Sequence, residues 1–457
     1  MKKILFVVLF AFTTHFTVPF ASQAQAEILL LDQNNWKVQM TGFVEGDAIS
    51  DSTQSFREII GNTPVQTSGT QAGANGRFQT SIRNSRLNFT LTPPQVGEWR
   101  TKAVLEFDLF GFDPNTGANA NNSEANFNNN PTFRPRHAYF KSENDGWEIL
   151  VGQTWELFGW QSYYFTPSVS VAPLPALVFV RTAQVRGTKN WDLGAGILTS
   201  SIAVVRPPQA DANMPDLQAG LRFAFCCRGS GYMMGGAAPR KVEPMSVALS
   251  GTVRKISVAS NDGLATDMTN YTGAAVGANI FIPILAATEK NISNTLSLTA
   301  SFTQGAGYGD QFNSFTGGSA TNSVAAPTNL NGRLTKVPNL DAGIGDYDAS
   351  NNFNLVQLTS YNVNLQYNFP NEMPDWMSAG FGVLSSNNMD SLVGTNGTTS
   401  AGGMPYDRER VYYANYFHEF TSQIRLGAEY DYIDTQYKGG AVVANDIRYQ
   451  LSGYFMF

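Results

Sequence analysis

The sequence predicts an all-β fold, a transmembrane antiparallel β-barrel of about 16 strands, and three observations point there. The last residues, NDIRYQLSGYFMF (445–457), place Ile447, Tyr449, Leu451, Gly453, Phe455 and Phe457 on one parity. Arg448, Gln450 and Ser452 take the other. A period of two with one apolar and one polar face is a strand between two different solvents. The N-terminus reads as an export signal: Lys2 and Lys3, an apolar run from Ile4 to Phe12, and Ala24-Gln25-Ala26 as a cleavage site, with the mature chain starting at Glu27. Finally, only 14% of residues are charged, against roughly 25% in soluble domains. The 42 glycines, 31 phenylalanines and 18 tyrosines suit twisted strands, aromatic girdles and loops.

The apolar run of the signal is too short to cross a bilayer, and no later stretch reaches about 18 uninterrupted apolar residues. Membrane-spanning helices are therefore not expected. A soluble chain of 457 residues would need two or three domains, and no linker separates any. The expected organisation is a signal peptide (1–26), a short N-terminal segment (27–35) and a single barrel domain (36–457). The formal charge is −6; losing Lys2 and Lys3 leaves about −8, which argues against a nucleic-acid partner. His137 and His418 are the only mature histidines, no metal-ligand spacing exists, and no cofactor is expected. Cys226 and Cys227 are adjacent, so a disulfide between them would be strained in a strand; two free thiols near a strand end are expected.

Alternation is cleanest at 292–304, where Leu296, Leu298, Ala300 and Phe302 oppose a row of Ser and Thr, and at 352–369. The same reading gives strands at 36–48, 77–92, 98–110, 133–142, 146–155, 180–189, 191–206, 216–227, 243–257, 271–284, 292–304, 352–369, 375–386, 409–418, 422–436 and 445–457. The even count is what a single-chain bacterial barrel requires, and sixteen strands enclose more space than side chains fill. Connections sort into short turns (93–98, 142–146, Lys189-Asn190, 288–291, 370–375, 419–422) and longer Gly/Asn/Ser/Thr-rich loops (49–76, 111–132, 156–179, 305–351, 387–408). Alternating short and long is the outer-membrane arrangement. The stretch 228–242, RGSGYMMGGAAPRKV, breaks the rule by being long where a short turn is due. Either a strand pair is miscounted there or that rim carries an insertion.

Parity also assigns charge. In the third strand Trp99, Thr101, Ala103, Leu105, Phe107 and Leu109 face outward, which turns Arg100, Lys102, Glu106 and Asp108 inward. Leu87, Phe89 and Leu91 likewise turn Arg86 inward. Arg134 and Arg136 share a parity, as do Gln184 and Arg186, while Arg222 opposes Leu221, Phe223 and Phe225. An arginine facing hydrocarbon at mid-depth costs about 2–4 kcal/mol, so the inward assignment is favoured energetically. Arg83 is the exception: it shares the outward parity of Leu87, placing it near a rim or in a subunit interface. Arg181 sits where the 156–179 loop enters the sixth strand. Two readings stay open. These cations form a basic ladder that focuses field on anions and offers forks to carboxylates, or they pair with Glu106, Asp108, Glu148 or loop acids and brace the wall.

The loop 156–179, ELFGWQSYYFTPSVSVAPLPALVF, is too aromatic to stand in water. Folded into the barrel it forms a constriction, with Trp160, Tyr163, Tyr164 and Phe165 as its contact face; the alternative is packing on a neighbouring subunit.

Four stretches in order, SRLNFTLTPPQVGEWRTKAVLEFDLFG (85–111), RHAYFK (136–141), VGQTWELF (151–158) and RTAQVRGTK (181–189), together resemble the DcaP-like porins. The match covers mainly 77–190. The resemblance implies a trimeric sixteen-stranded channel in the bacterial outer membrane, both termini periplasmic, with an arginine-lined constriction admitting small anions such as dicarboxylates. By motif match, the family-like polar positions are Arg86, Glu106, Asp108, Arg136, Gln153, Arg181, Gln184 and Arg186. The coiled-coil segment that precedes the barrel in some members has no counterpart in EILLLDQNN.

The leading functional reading is a passive, anion-preferring diffusion channel in outer-membrane lipid, not an enzyme. A non-selective porin, in which acids cancel the arginines, is the alternative within transport. A hydrolase barrel would need a Ser-His pair, and no G-x-S-x-G accompanies His137, placed on the parity opposite Arg136, or His418. An adhesin would rest on loop 305–351, whose composition is that of any exposed loop.

Overall fold

In the computed structural model, which describes residues 27–61, 63–111, 132–165, 168–170, 174–207, 212–233, 241–259, 268–286, 293–312, 343–348, 352–370, 375–392, 406–437 and 442–457, the chain winds into one closed antiparallel barrel. The wall strands are β1 (Trp36–Asp51), β2 (Arg77–Ser81 and Arg86–Thr92), β3 (Arg100–Gly111), β4 (Thr132–Asn144), β5 (Trp147–Trp155) and β6 (Arg181–Asp192). They continue as β7 (Gly196–Val205), β8 (Asp216–Phe225), β9 (Ser246–Ala259), β10 (Met268–Leu285) and β11 (Thr295–Ala306). The last five are β12 (Gln357–Asn368), β13 (Trp376–Ser386), β14 (Tyr406–Glu419), β15 (Ile424–Tyr437) and β16 (Val443–Met456). The final strand closes the ring by pairing with the first, from Phe43↔Met456 to Asp51↔Arg448. Closure leaves no free sheet edge in the wall, so each strand's backbone groups find partners without water.

Alternation holds around the ring. Leu221, Leu249, Val276 and Leu451 are exposed on the outside, while their neighbours Arg222, Ser250, Ala275 and Gln450 are buried inside. Apart from the connection after β8, short connections gather at one rim and longer ones at the other, as the spacing predicts, and the first and last described residues, Glu27 and Phe457, lie at the short-turn rim. One turn moves. The strand expected to stop at Lys189-Asn190 continues to Asp192, because Gly194 (φ 73°) supplies the left-handed turn and Asp192 Oδ1 accepts its N–H at 2.9 Å.

Three short β-hairpin pairings lie outside the predicted set. Ile28–Gln33 forms a hairpin with the start of β1 around Asn34-Asn35, both at positive φ (54° and 62°), the conformation Asn tolerates in tight hairpins. It prolongs the line of β16 beyond the rim and leaves Ile28 to Leu31 exposed. Gly345–Tyr347 pairs with Phe353–Leu355 at the long-loop rim. The anomalous 228–242 stretch is an insertion: Ser230–Met233 pairs with Lys241–Pro244 in a hairpin of its own. Cys226 and Cys227, just beyond β8, are free and exposed.

Candidate functional site

The loop after β5 turns inward. Glu156 N–H is bonded to Val180 O at its neck (3.1 Å), and Phe158–Trp160 forms a single 3-10 turn. Every residue of the expected contact face meets the inner wall. Trp160 donates Nε1–H to Leu249 O (3.0 Å) and its indole lies on Gly220, where an added Cβ would come within 2.8 Å of the ring. Tyr164 Oη lies 2.9 Å from Ser246 Oγ. Tyr163 is stacked on the Arg222 guanidinium, 4.2 Å from its carbon. Phe165 packs with Tyr163 against Leu157, Ala203, Val205, Ala248 and Phe281. This face packs within the barrel rather than on a neighbouring subunit.

Farther along, the loop crosses the lumen to β15. Glu429 accepts hydrogen bonds from Ser168 Oγ (2.9 Å), Val169 N (2.7 Å) and Ser170 N (2.8 Å), and Ser170 Oγ donates to Asp431 (2.6 Å). Gln450 of β16 donates to Val169 O (3.2 Å), and Ser360 of β12 donates to Ala176 O (2.8 Å). An added Cβ at Gly427 would meet Val169 at 2.9 Å, so the wall carries a glycine where the loop presses closest. Glu429 and Asp431 lay within reach of the sequence: Leu426, Tyr430 and Tyr432 share the outward parity, which turns Gly427, Glu429 and Asp431 inward.

The side of the lumen facing β2–β8 carries the cations. Glu106 and Asp108 of β3 anchor the arginines of β4. Arg134 grips Asp108 with both Nε (2.9 Å) and Nη2 (2.6 Å), and Arg136 spans Glu106 (2.6 Å) and Asp108 (2.9 Å). Arg86 stands over Phe43 (5.3 Å) and donates from Nη2 to Asn84 Oδ1 (3.0 Å), with its Nε buried and unbonded. Nearer the short-turn rim, Lys141 bridges Glu148 (2.6 Å) and Glu143, and Arg186 approaches Glu148 at 3.8 Å. Arg222 is paired with Glu243 at 2.9 Å. The bracing reading of Arg134, Arg136 and Arg186 therefore holds as far as direct pairing goes, with the acids named from the sequence. Arg100 and Lys102 project from β3 with no ion pair among the described residues.

Other sequence-selected residues fall elsewhere. Arg181 opens β6 opposite Trp155, its guanidinium carbon 4.6 Å from that ring and 5.6 Å from Phe179, and its Nη1 is buried without a hydrogen-bond partner. It lies on the parity opposite Gln184 and Arg186. Gln184 is buried and spends its amide on Thr154 O and Trp155 O (3.2 and 3.0 Å). Gln153 donates to Pro135 O (3.1 Å) from the opposite parity to Glu148. Both are wall fasteners.

Two parity assignments need correction. Arg83 does not face outward: β2 breaks between Ser81 and Arg86, parity resets across the break, and Arg83 is buried inside, 3.5 Å from Glu58. His137 does not face lipid. The β3–β4 register slips between Glu106 and Phe107, so Arg136 is the extra residue of a bulge and His137 pairs opposite Glu106. Its Nδ1 lies 2.9 Å from Thr154 Oγ1, while His418 Nδ1 lies 2.6 Å from Asp375 Oδ1; neither is paired with a serine among the described residues.

Exposure divides the lumen. On the cationic side part of the inward charge keeps contact with solvent, with side-chain exposure of 35% for Arg134, 18% for Glu106 and Lys141, and 20% for Glu148, while Asp108, Arg136 and Arg222 are buried. On the far side, inward polar groups that an empty barrel would leave wet are sealed. Glu429 is 4% exposed and Asp431 0%, and Asn364, Gln366, Ser378 and Gln450 are likewise buried.

No protein-family model and no curated protein matches the chain. Among solved structures it is similar to the outer membrane channel DcaP of Acinetobacter baumannii, with TM-score 0.60 and 15% identity, covering 93% of this chain and 99% of that one. It is also similar to an anion-selective porin from Comamonas acidovorans, with TM-score 0.53 and 9% identity, covering 92% and 100%. The barrel has the outer-membrane porin fold. The resemblance to DcaP-like porins carried by residues 77–190 is thus supported at the level of fold.

Proposed function

We propose that the chain is an outer-membrane channel for passive diffusion of small hydrophilic solutes, with a preference for anions, and that it has no enzymatic activity. The observation that carries the reading is the one-sided filling of the lumen. The inward loop occupies the lumen from β7 round to β16, so solutes pass along β2–β6. There Arg86, Arg100, Lys102, Arg134, Arg136, Lys141 and Arg186 stand among Glu106, Asp108, Glu143 and Glu148. A narrow aqueous path with low-dielectric walls and a net positive lining concentrates anions. The apolar outer belt fits a bilayer, both chain ends fit the periplasmic side, and the long loops fit the outside. Assembly as a homotrimer and uptake of dicarboxylates are carried over from the family resemblance, and the anion-selective fold neighbour agrees in charge preference.

A specific observation favours a second reading, the non-selective porin: Arg134, Arg136 and Arg186 all have acidic partners. The reversal potential of the purified protein in a planar bilayer under a salt gradient decides between them. An anion-side potential that weakens in Arg100→Ala or Lys102→Ala supports the cationic path. A potential near zero supports the non-selective porin, and absence of conductance overturns both.

A further inference from the structure

We infer that the hairpin Ser230–Met233/Lys241–Pro244 is a second, inward-folded constriction that confines solutes to the cationic side where they cross the short-turn rim. The inference rests on the channel reading and extends it to where selectivity is set.

Twenty residues separate the end of β8 at Phe225 from the start of β9 at Ser246, at a rim where other connections are short turns. The described ones among them do not all hang below the barrel. Gly231 is buried against the inner faces of β10 and β11: an added Cβ would lie 2.5 Å from Ser297 Oγ and 3.0 Å from Phe281 Cζ. On the returning arm, Val242 packs on Phe43, Trp376, Phe417, Tyr454 and Met456, an apolar cluster of the inner wall formed by β1, β13, β14 and β16. One arm thus touches β10–β11 and the other reaches the inner wall across the lumen.

Two contacts join this hairpin to the first constriction. Glu243 is 7% exposed and accepts from Arg222 Nη2 at 2.9 Å, while the same guanidinium lies 4.2 Å from the Tyr163 ring of the inward loop. Val169, held by Glu429, belongs to the cluster on which Val242 packs. The β9–β16 side is therefore blocked twice, once by the loop and again at the rim, and the cation-lined side is the continuous passage. An inward cluster of Trp, Phe, Tyr and Met at the mouth of an aqueous pore would otherwise stand in water, which disfavours exposed apolar surface. Covering that cluster is a physical reason for the hairpin to lodge there.

The test uses the full-length barrel with Cys226→Ser and Cys227→Ser. Val242→Cys with Phe417→Cys should cross-link under mild oxidant in the purified folded protein; a folded barrel that yields no cross-link overturns the placement. Replacement of 230–244 by two glycines should raise single-channel conductance about 1.5-fold or more and lower the anion-to-cation permeability ratio, because solutes at the short-turn rim are no longer confined beside the cationic wall. Unchanged conductance and permeability ratio in a folded deletion overturn the role. If the deletion fails to fold, Gly231→Val and Glu243→Ala take its place with the same two readouts. Wild-type protein that does not conduct refutes the channel reading itself, whereas a conducting wild type with an indifferent deletion refutes only the second constriction.

Discussion

Removing the carboxylate of Glu429 should release the inward loop without unfolding the barrel. Glu429 holds three donors of the loop, Ser168 Oγ, Val169 N and Ser170 N, besides Asn415 Nδ2 of β14 at 2.7 Å. A hydrogen bond to a charged group contributes about 1.5–3 kcal/mol net, and a buried N–H left without a partner costs about 1–3 kcal/mol. The bonds share one carboxylate and do not add, so a loss of about 3–5 kcal/mol in loop docking is the expected scale for Glu429→Ala. At about 1.4 kcal/mol per tenfold, that multiplies the undocked population at least on the order of 100-fold. Backbone pairing around the ring does not involve this side chain, so heat-modifiable electrophoretic mobility should stay that of a folded barrel. Hydrogen exchange read at Val169 and Ser170 should accelerate accordingly, and single-channel recordings should show larger, noisier currents. Glu429→Gln, which keeps one acceptor oxygen, should fall between. Exchange at those two amides as slow in Glu429→Ala as in the parent protein would refute the latch.

Three other perturbations follow from the geometry. Arg448 is fully buried, bonded to Asp51 (2.6 and 3.0 Å), Arg57 O and Glu58 O; Asp51→Ala should cost about 3–5 kcal/mol by stranding that charge, seen as a lower unfolding temperature of the purified barrel. Glu106→Gln removes one negative charge from the arginine cluster, so the reversal potential should move further to the anion side; a move the other way contradicts the lining. Gly220→Val puts methyl groups where the Trp160 indole lies, so the loop must shift and conductance must change, while Gly46→Val, at a position with open space around it, should leave both as they are.

Most of the wall was legible because each strand separates two solvents, and that difference writes a period of two into the chain. What parity cannot see is a change of step. The break in β2 reversed the assignment of Arg83, and the bulge at Arg136 reversed that of His137; an extra residue leaves no compositional mark. The aromatic content of 156–179 announced burial and even the contact residues, yet not the destination, since the Glu429 latch joins residues some 260 positions apart in the chain. The stretch 228–242 stands out by its length alone, because the reason it folds inward lies in the apolar patch it covers, contributed by four distant strands. Charge type was legible and charge pairing was not: the sequence offered the acids, and only register showed Asp108 opposite Arg134.

The central claim is that solutes travel along β2–β6 while the side from β7 to β16 is sealed. Its most direct test places single cysteines on the two sides, Asn88→Cys on β2 and Asn364→Cys on β12, in the Cys226→Ser, Cys227→Ser background. Each is then exposed to a charged, water-soluble thiol reagent during current recording. The account predicts rapid reaction and a fall in current for Asn88→Cys, with Asn364→Cys inert behind the loop. Comparable reaction at both positions, or reaction at Asn364→Cys alone, would contradict it.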